Sequence, residues 1–188
     1  MSAIVIVLIV LAVLLVAGIA IYNGLVRLNV RTDEALSDIT VQLKRRFDLI
    51  PNLVSTVKGY AKHEAETLEK VAAERSSVVT GNSSIQETAA ADNMLSGALK
   101  SVFAVAESNP DLKANQNFLQ LQAELTDTED KIQAARRFYN GCARDLNTKI
   151  KTFPTSIFAG MLGFKTRDFY EVDAAEAAAV AEPTKVEF

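Results

Sequence analysis

The sequence has no tryptophan, one cysteine (Cys142) and one histidine (His63), and each scarcity closes off a class of chemistry. A single cysteine forms no internal disulfide. One histidine and one cysteine also fall short of the ligand set of a structural zinc site. His63 and Glu66 would stand one turn apart on a helix, but a di-iron bundle needs two Glu-x-x-His motifs and a lone histidine cannot supply them. Catalysis by Ser, His and Asp would have to run through His63 alone. Strong charge of one sign is missing too. The net charge is −3, without the basic face that binds nucleic acid, so no nucleic-acid partner is expected.

What is abundant is apolar and concentrated at one end. The first 26 residues hold 22 apolar ones and no charge, while the remainder is about 43% apolar, ordinary for a soluble domain. Residues 4–22 are Ile, Val, Leu and Ala with one Gly and a closing Tyr22, and as a helix this run spans about 28 Å, the thickness of the hydrocarbon layer. A cleaved signal peptide fits less well: there is no basic n-region, the run is too long, and no A-x-A site follows. Residues 1–26 are therefore expected to be a retained transmembrane anchor, in contact with lipid through residues 4–22. Arg27 and Arg31 follow it and only Met1 and Ser2 precede it, which by the positive-inside rule places the C-terminal domain in the cytoplasm. A free Cys142 agrees with a reducing compartment.

From Thr32 onward the apolar residues keep helical spacing. Leu36, Leu43, Ile50 and Val57 are seven apart, with Ile39 and Leu53 three positions later and Phe47, Val54, Ala61 and Leu68 four later. Thr32-Asp33-Glu34 reads as an N-cap with an acidic first turn and Gly81-Asn82 as a stop, so a first bundle helix is expected over 33–80. Pro51 lies inside it. Because the heptad keeps its phase across Pro51, the expectation is one kinked helix and not two. Ser84-Ile85-Gln86-Glu87 has the capping-box pattern and predicts a second helix over 85–107, with Leu95, Leu99, Val102 and Ala106 on its apolar face. Asn109-Pro110-Asp111 breaks the chain and can start a new turn. Phe118, Leu125, Ile132, Tyr139, Leu146 and Phe153 then repeat every seven residues, predicting a third helix over 111–152 that Pro154 ends. No period-two run appears, so the fold class expected is all-α: one transmembrane helix and an antiparallel bundle of long helices over 27–167.

The middle helix is about half as long as its neighbours, which leaves part of their apolar stripe to be covered by residues 107–117 or by another molecule; self-association is expected on that ground. If the first helix leaves the membrane, the second returns and the third leaves again, the short apolar stretch 157–164 ends far from the bilayer and reads as a plug or subunit contact. Residues 168–188 carry six acids, one Lys and a run of alanines, the composition of a solvated, disordered tail.

Lys44-Arg45-Arg46 is the one tight basic cluster. It stands about 33 Å of helix beyond Tyr22, outside the Debye length of the bilayer surface, so pairing with Glu124, Asp127, Glu129 and Asp130 of the third helix is the better reading than lipid binding, with a partner site as the alternative. Cys142, Tyr139, Phe138 and Phe118 read as core residues. No nucleophile with a base and no cofactor loop stands out, so neither an enzyme nor a cofactor is expected.

Several stretches resemble one family. Val41-Gln42-Leu43-Lys44-Arg45-Arg46, Asp48-Leu49-Ile50-Pro51-Asn52-Leu53-Val54 and Thr56-Val57-Lys58-Gly59-Tyr60 look like the signature of the LemA family of bacterial membrane proteins. Asn117-Phe118, Leu121-Gln122, Glu124-Leu125-Thr126-Asp127-Thr128-Glu129 and Ala135-Arg136-Arg137-Phe138-Tyr139-Asn140 resemble it as well, as do Phe153-Pro154 and Gly163-Phe164-Lys165. The likeness covers residues 4–170 and leaves the last eighteen outside. Phe47 stands where members often carry a polar residue or His. The resemblance implies a single N-terminal transmembrane helix in the bacterial inner membrane and an all-helical domain; it implies no reaction. The expectation is a membrane-anchored helical scaffold or interaction protein that associates with copies of itself or with another membrane protein, with an accessory subunit of an envelope enzyme or signalling system as the alternative.

Overall fold

The computed structural model describes residues 3–60 and 84–171. Its elements are helices α1 (Ala3–Lys58), α2 (Ile85–Glu107), α3 (Pro110–Lys113), α4 (Gln116–Lys151) and α5 (Thr155–Ala159), and no strand occurs among the described residues. α1 holds an 18-residue window long and apolar enough to cross a membrane, and none of that window is buried against the rest of the protein.

The anchor and the first bundle helix are one helix, which corrects the expected start at 33. Thr32 does not cap. It is buried in mid-helix, and its hydroxyl donates to the Leu28 carbonyl at 2.8 Å. A threonine can satisfy its own hydroxyl on the preceding turn, so a cap residue type signals an N-terminus only where something else stops the helix. α1 passes through Pro51, which is exposed, and ends at Lys58 with Gly59 and Tyr60 in a turn. The described helix thus stops well before residue 80; His63, Glu66 and the Gly81-Asn82 stop lie outside the described residues.

α2 begins where the capping box requires. Ser84 Oγ accepts from the Glu87 amide at 3.2 Å, and the Glu87 carboxylate accepts from the Ser84 amide at 2.7 Å. Pro110 opens the short α3. The third long helix starts at Gln116 and not at 111, because Asn115 Oδ1 accepts from the Phe118 amide at 3.1 Å and caps a new helix there.

The chain forms two compact units: Met1–Asp38 with Ala135–Phe169, and Ile39–Ala134 with Tyr170–Phe188. In the first, Leu25, Leu146 and Ala159 are buried together and Ile21, Leu28, Ile150 and Phe164 pack around them. Leu25 beside Leu146 and Arg31 over the ring of Phe138 (5.3 Å) set α4 antiparallel to α1 there. Phe138 is therefore an exposed platform for Arg31 and not the core residue expected. Each fully buried leucine contributes about 1.5–3 kcal/mol.

This unit also corrects the expected course of the chain. α4 runs back toward the apolar end of α1, so residues 157–164 lie beside Tyr22 and Leu25, next to the apolar segment and not remote from it. Residues 164–168 then return along α4. Asn147 holds them as a second backbone would, accepting from the Arg167 amide and donating to its carbonyl, both at 2.8 Å. The Tyr139 hydroxyl donates to the Asp168 carbonyl at 2.9 Å. Part of the stripe expected to need another molecule is thus covered by the chain's own residues.

In the second unit, Ile39, Leu43, Phe47, Ile50, Leu53 and Val57 of α1 are buried, as are Leu95, Leu99, Val102 and Ala106 of α2, and Phe118, Leu125 and Ile132 of α4. Tyr60 and Asn115 meet at 2.9 Å and Phe103 packs edge-on to Phe118 at 6.3 Å.

Candidate functional site

Among the described residues of this second unit, a cluster of charges lies inside the core. On α1, Ile39, Arg46 and Leu53 are seven apart, so the heptad itself turns a cation inward. On α2, Asp92 precedes Leu95, Leu99, Val102 and Ala106 at the same three-four spacing and also faces in. On α4, Glu129 falls between Leu125 and Ile132. The three helices bring these charges to one level.

Arg46 is 3% exposed and Asp92 fully buried. Arg46 Nη1 lies 2.9 Å from Asp92 Oδ1 and 2.8 Å from Glu129 Oε2, and Nη2 donates to Ser96 Oγ at 2.9 Å. The Tyr170 hydroxyl donates to the other Asp92 oxygen at 3.1 Å. Taking a guanidinium out of water is costly unless it is paired and hydrogen-bonded: Asp92 does both here, Ser96 adds a hydrogen bond and Glu129 a second negative charge, while Arg46 Nε is buried without a hydrogen bond. A cleft of about 250 Å³ between α2 and α4 opens on the pair and is lined by Arg46, Ser96, Lys100, Phe103 and Glu129 among others.

The remaining residues of the expected set are less deeply engaged. Arg45 lies 3.8 Å from Asp127 with both side chains half exposed. Asp127 is closer to Lys131, at 2.7 Å one turn along α4, and that hydrogen bond is the main cause that holds its carboxyl below the ordinary aspartate value. Glu124 accepts from Gln120 at 3.0 Å within α4, and Lys44 is exposed. Of the basic cluster, then, only Arg46 enters the core.

Composition of the pairs missed the centre's principal acid. Asp92 carried a signal nonetheless: it is the one charged position on an otherwise apolar helix stripe. Tyr170, in the stretch expected to open the acidic tail, is buried. The rest of that tail, residues 172–188, lies outside the described residues.

Chemically, the centre is suited to holding helices together. A guanidinium stays charged and cannot serve as a base, so Ser96 beside it is not activated as a nucleophile, and both carboxylates face the cation. Comparison with known proteins bears on the same question. The model of the LemA family matches residues 35–188, most of the chain. The chain belongs to the LemA family. The family match runs to the C-terminus, past the residue at which the motif likeness stopped. Protein LemA of Metamycoplasma hominis is 32% identical over 84% of this chain and 70% of its own length. Magnetosome protein MamQ 2 of Paramagnetospirillum magneticum is 23% identical over 80% of the chain and 64% of its own length, and Magnetosome protein MamQ of Magnetospirillum gryphiswaldense is 24% identical over 79% and 64%. This LemA-family chain therefore spans about two thirds of the length of these relatives. Their names are not names of reactions.

Proposed function

We propose that this protein is a membrane-anchored helical scaffold, an interaction protein without catalytic activity, which associates with copies of itself. The observation that carries the reading is the continuity of α1: the apolar segment runs without a break into the helix that supplies Leu25 and Ala35 to the core. Nothing between Ala3 and Lys58 separates an anchor from a tethered domain. The buried charges support the same reading, since Arg46, Asp92 and Glu129 are used on one another. Large apolar side chains on exposed helix faces, Met94 and Leu119, offer contact area to a second copy.

The C-terminal domain lies in the cytoplasm on this reading, on the side of Arg27 and Arg31. The alternative is docking as an accessory subunit on an envelope enzyme or signalling system. Co-expression of two differently tagged full-length copies separates the two. Recovery of one tag with the other from solubilised membranes is expected. Recovery of a single tag with one stoichiometric foreign protein contradicts self-association and favours the accessory role.

A further inference from the structure

The first unit carries a surface that the scaffold reading leaves unused. Residues 153–162 hold five large apolar side chains facing outward: Phe153 (78% exposed), Met161 (75% exposed), Ile157, Phe158 and Leu162. Their place is fixed by the residues between them. Ala159 is buried against Leu25 and Leu146, and Phe164 packs its ring on Tyr22 with centroids 6.0 Å apart. Gly163, at φ +79°, allows the reversal that carries Phe164 back to Tyr22. Tyr22 closes the apolar run of α1, where an amphipathic ring suits the boundary between hydrocarbon and headgroups. The apolar surface therefore stands at the level where α1 leaves the bilayer.

Charge is sorted in the same way. Residues 146–167 contain Lys149, Lys151, Lys165 and Arg167 and no acid, and α1 has Arg27 and Arg31 and no acid before Asp33. Arg167 is engaged with Asp33 at 2.7 Å; Lys149, Lys151 and Lys165 are exposed. A cationic rim around an apolar face is what an anionic lipid surface attracts. The backbone is also prepared for a dry setting: the amides of Ser156, Ile157, Leu162, Gly163 and Phe164 all donate to carbonyls within residues 152–160.

We propose that residues 153–162 form a second, interfacial contact with the bilayer, in which Phe153, Ile157, Phe158, Met161 and Leu162 dip among the acyl chains beside α1 while the three lysines meet lipid phosphates. The contact rests on the reading of α1 as a membrane span, and it makes the base of the protein a two-point support. The absence of native tryptophan supplies the test. Single-tryptophan variants of the full chain, Met161→Trp, Ile157→Trp, Leu14→Trp and Val41→Trp, are reconstituted in vesicles of phosphatidylcholine and phosphatidylglycerol, with and without acyl-chain bromination. Met161→Trp and Ile157→Trp are expected to emit to the blue of Val41→Trp and to lose most of their fluorescence to brominated lipid, as Leu14→Trp does, while Val41→Trp keeps its own. Quenching of Leu14→Trp without quenching at 157 or 161 overturns the contact and leaves the span intact. Blue emission at 157 and 161 that bromine does not quench shows that protein, such as a second copy, covers the surface, and also overturns it. An unquenched Leu14→Trp removes the span and the contact together.

Discussion

Arg46 of α1 and Asp92 of α2 meet 2.9 Å apart in a core built mainly from apolar side chains. Charges so placed make the alignment of the helices specific, because a shift of one turn leaves each of them buried without its partner. Asp92→Ala leaves a buried guanidinium with Glu129 as its remaining carboxylate and should lower stability by about 3–5 kcal/mol. Replacing both by apolar residues, Arg46→Met with Asp92→Leu, should recover most of the loss. Urea unfolding of the solubilised protein, followed by circular dichroism, reads both changes; a double variant no better than the single one contradicts this account of the pair.

The neighbouring cation behaves differently for a reason visible in its exposure. Arg45 is half exposed and 3.8 Å from Asp127, so Arg45→Glu should change stability by less than about 1 kcal/mol, whereas Arg46→Glu, which sets three acids together in the core, should prevent stable folding. Sizing of the Arg45→Glu protein separates the roles further. Melting that is unchanged while assembly is lost would assign Arg45 to a partner surface and refute its role as an interhelical pair.

Tyr139 introduces a pH dependence. Burial is the main cause that raises its phenol above the ordinary value of 10.0, because the ionised form is poorly solvated in the core. The raised folded value means that the unfolded chain loses its proton first as pH increases. The associated stability is therefore complete below pH 10.0 and disappears as pH climbs through the folded-state value. Tyr139→Phe should cost about 1 kcal/mol at neutral pH through the lost bond to the Asp168 carbonyl, and should flatten the alkaline decline. Thermal melts from neutral pH to pH 11 compare the two; parallel declines contradict the assignment.

How far the sequence discloses this molecule depends on whether the deciding interaction is local. The capping box at Ser84 and the heptads of α2 and α4 are local patterns, and the helices they predict are present. The false start at Thr32 arose because cap residue types are ambiguous: the same hydroxyl can serve the turn before it. The direction of α4 depends on contacts over a hundred residues apart, such as Leu25 with Leu146, and no spacing rule contains them. For that reason the apolar stretch after Pro154 was expected at the wrong end. The basic cluster was legible as an interhelical feature, yet Asp92, on a different helix from the acids paired with it on paper, was visible only as a charge out of place on an apolar stripe.

The central claim is that α1 anchors an interaction scaffold that associates with itself, and the mass of the protein in solution tests it most directly. Light scattering of the full chain solubilised in mild detergent, with the detergent contribution subtracted, should return two or more chains per particle at micromolar concentration. A particle of one chain, with no second protein present, contradicts it.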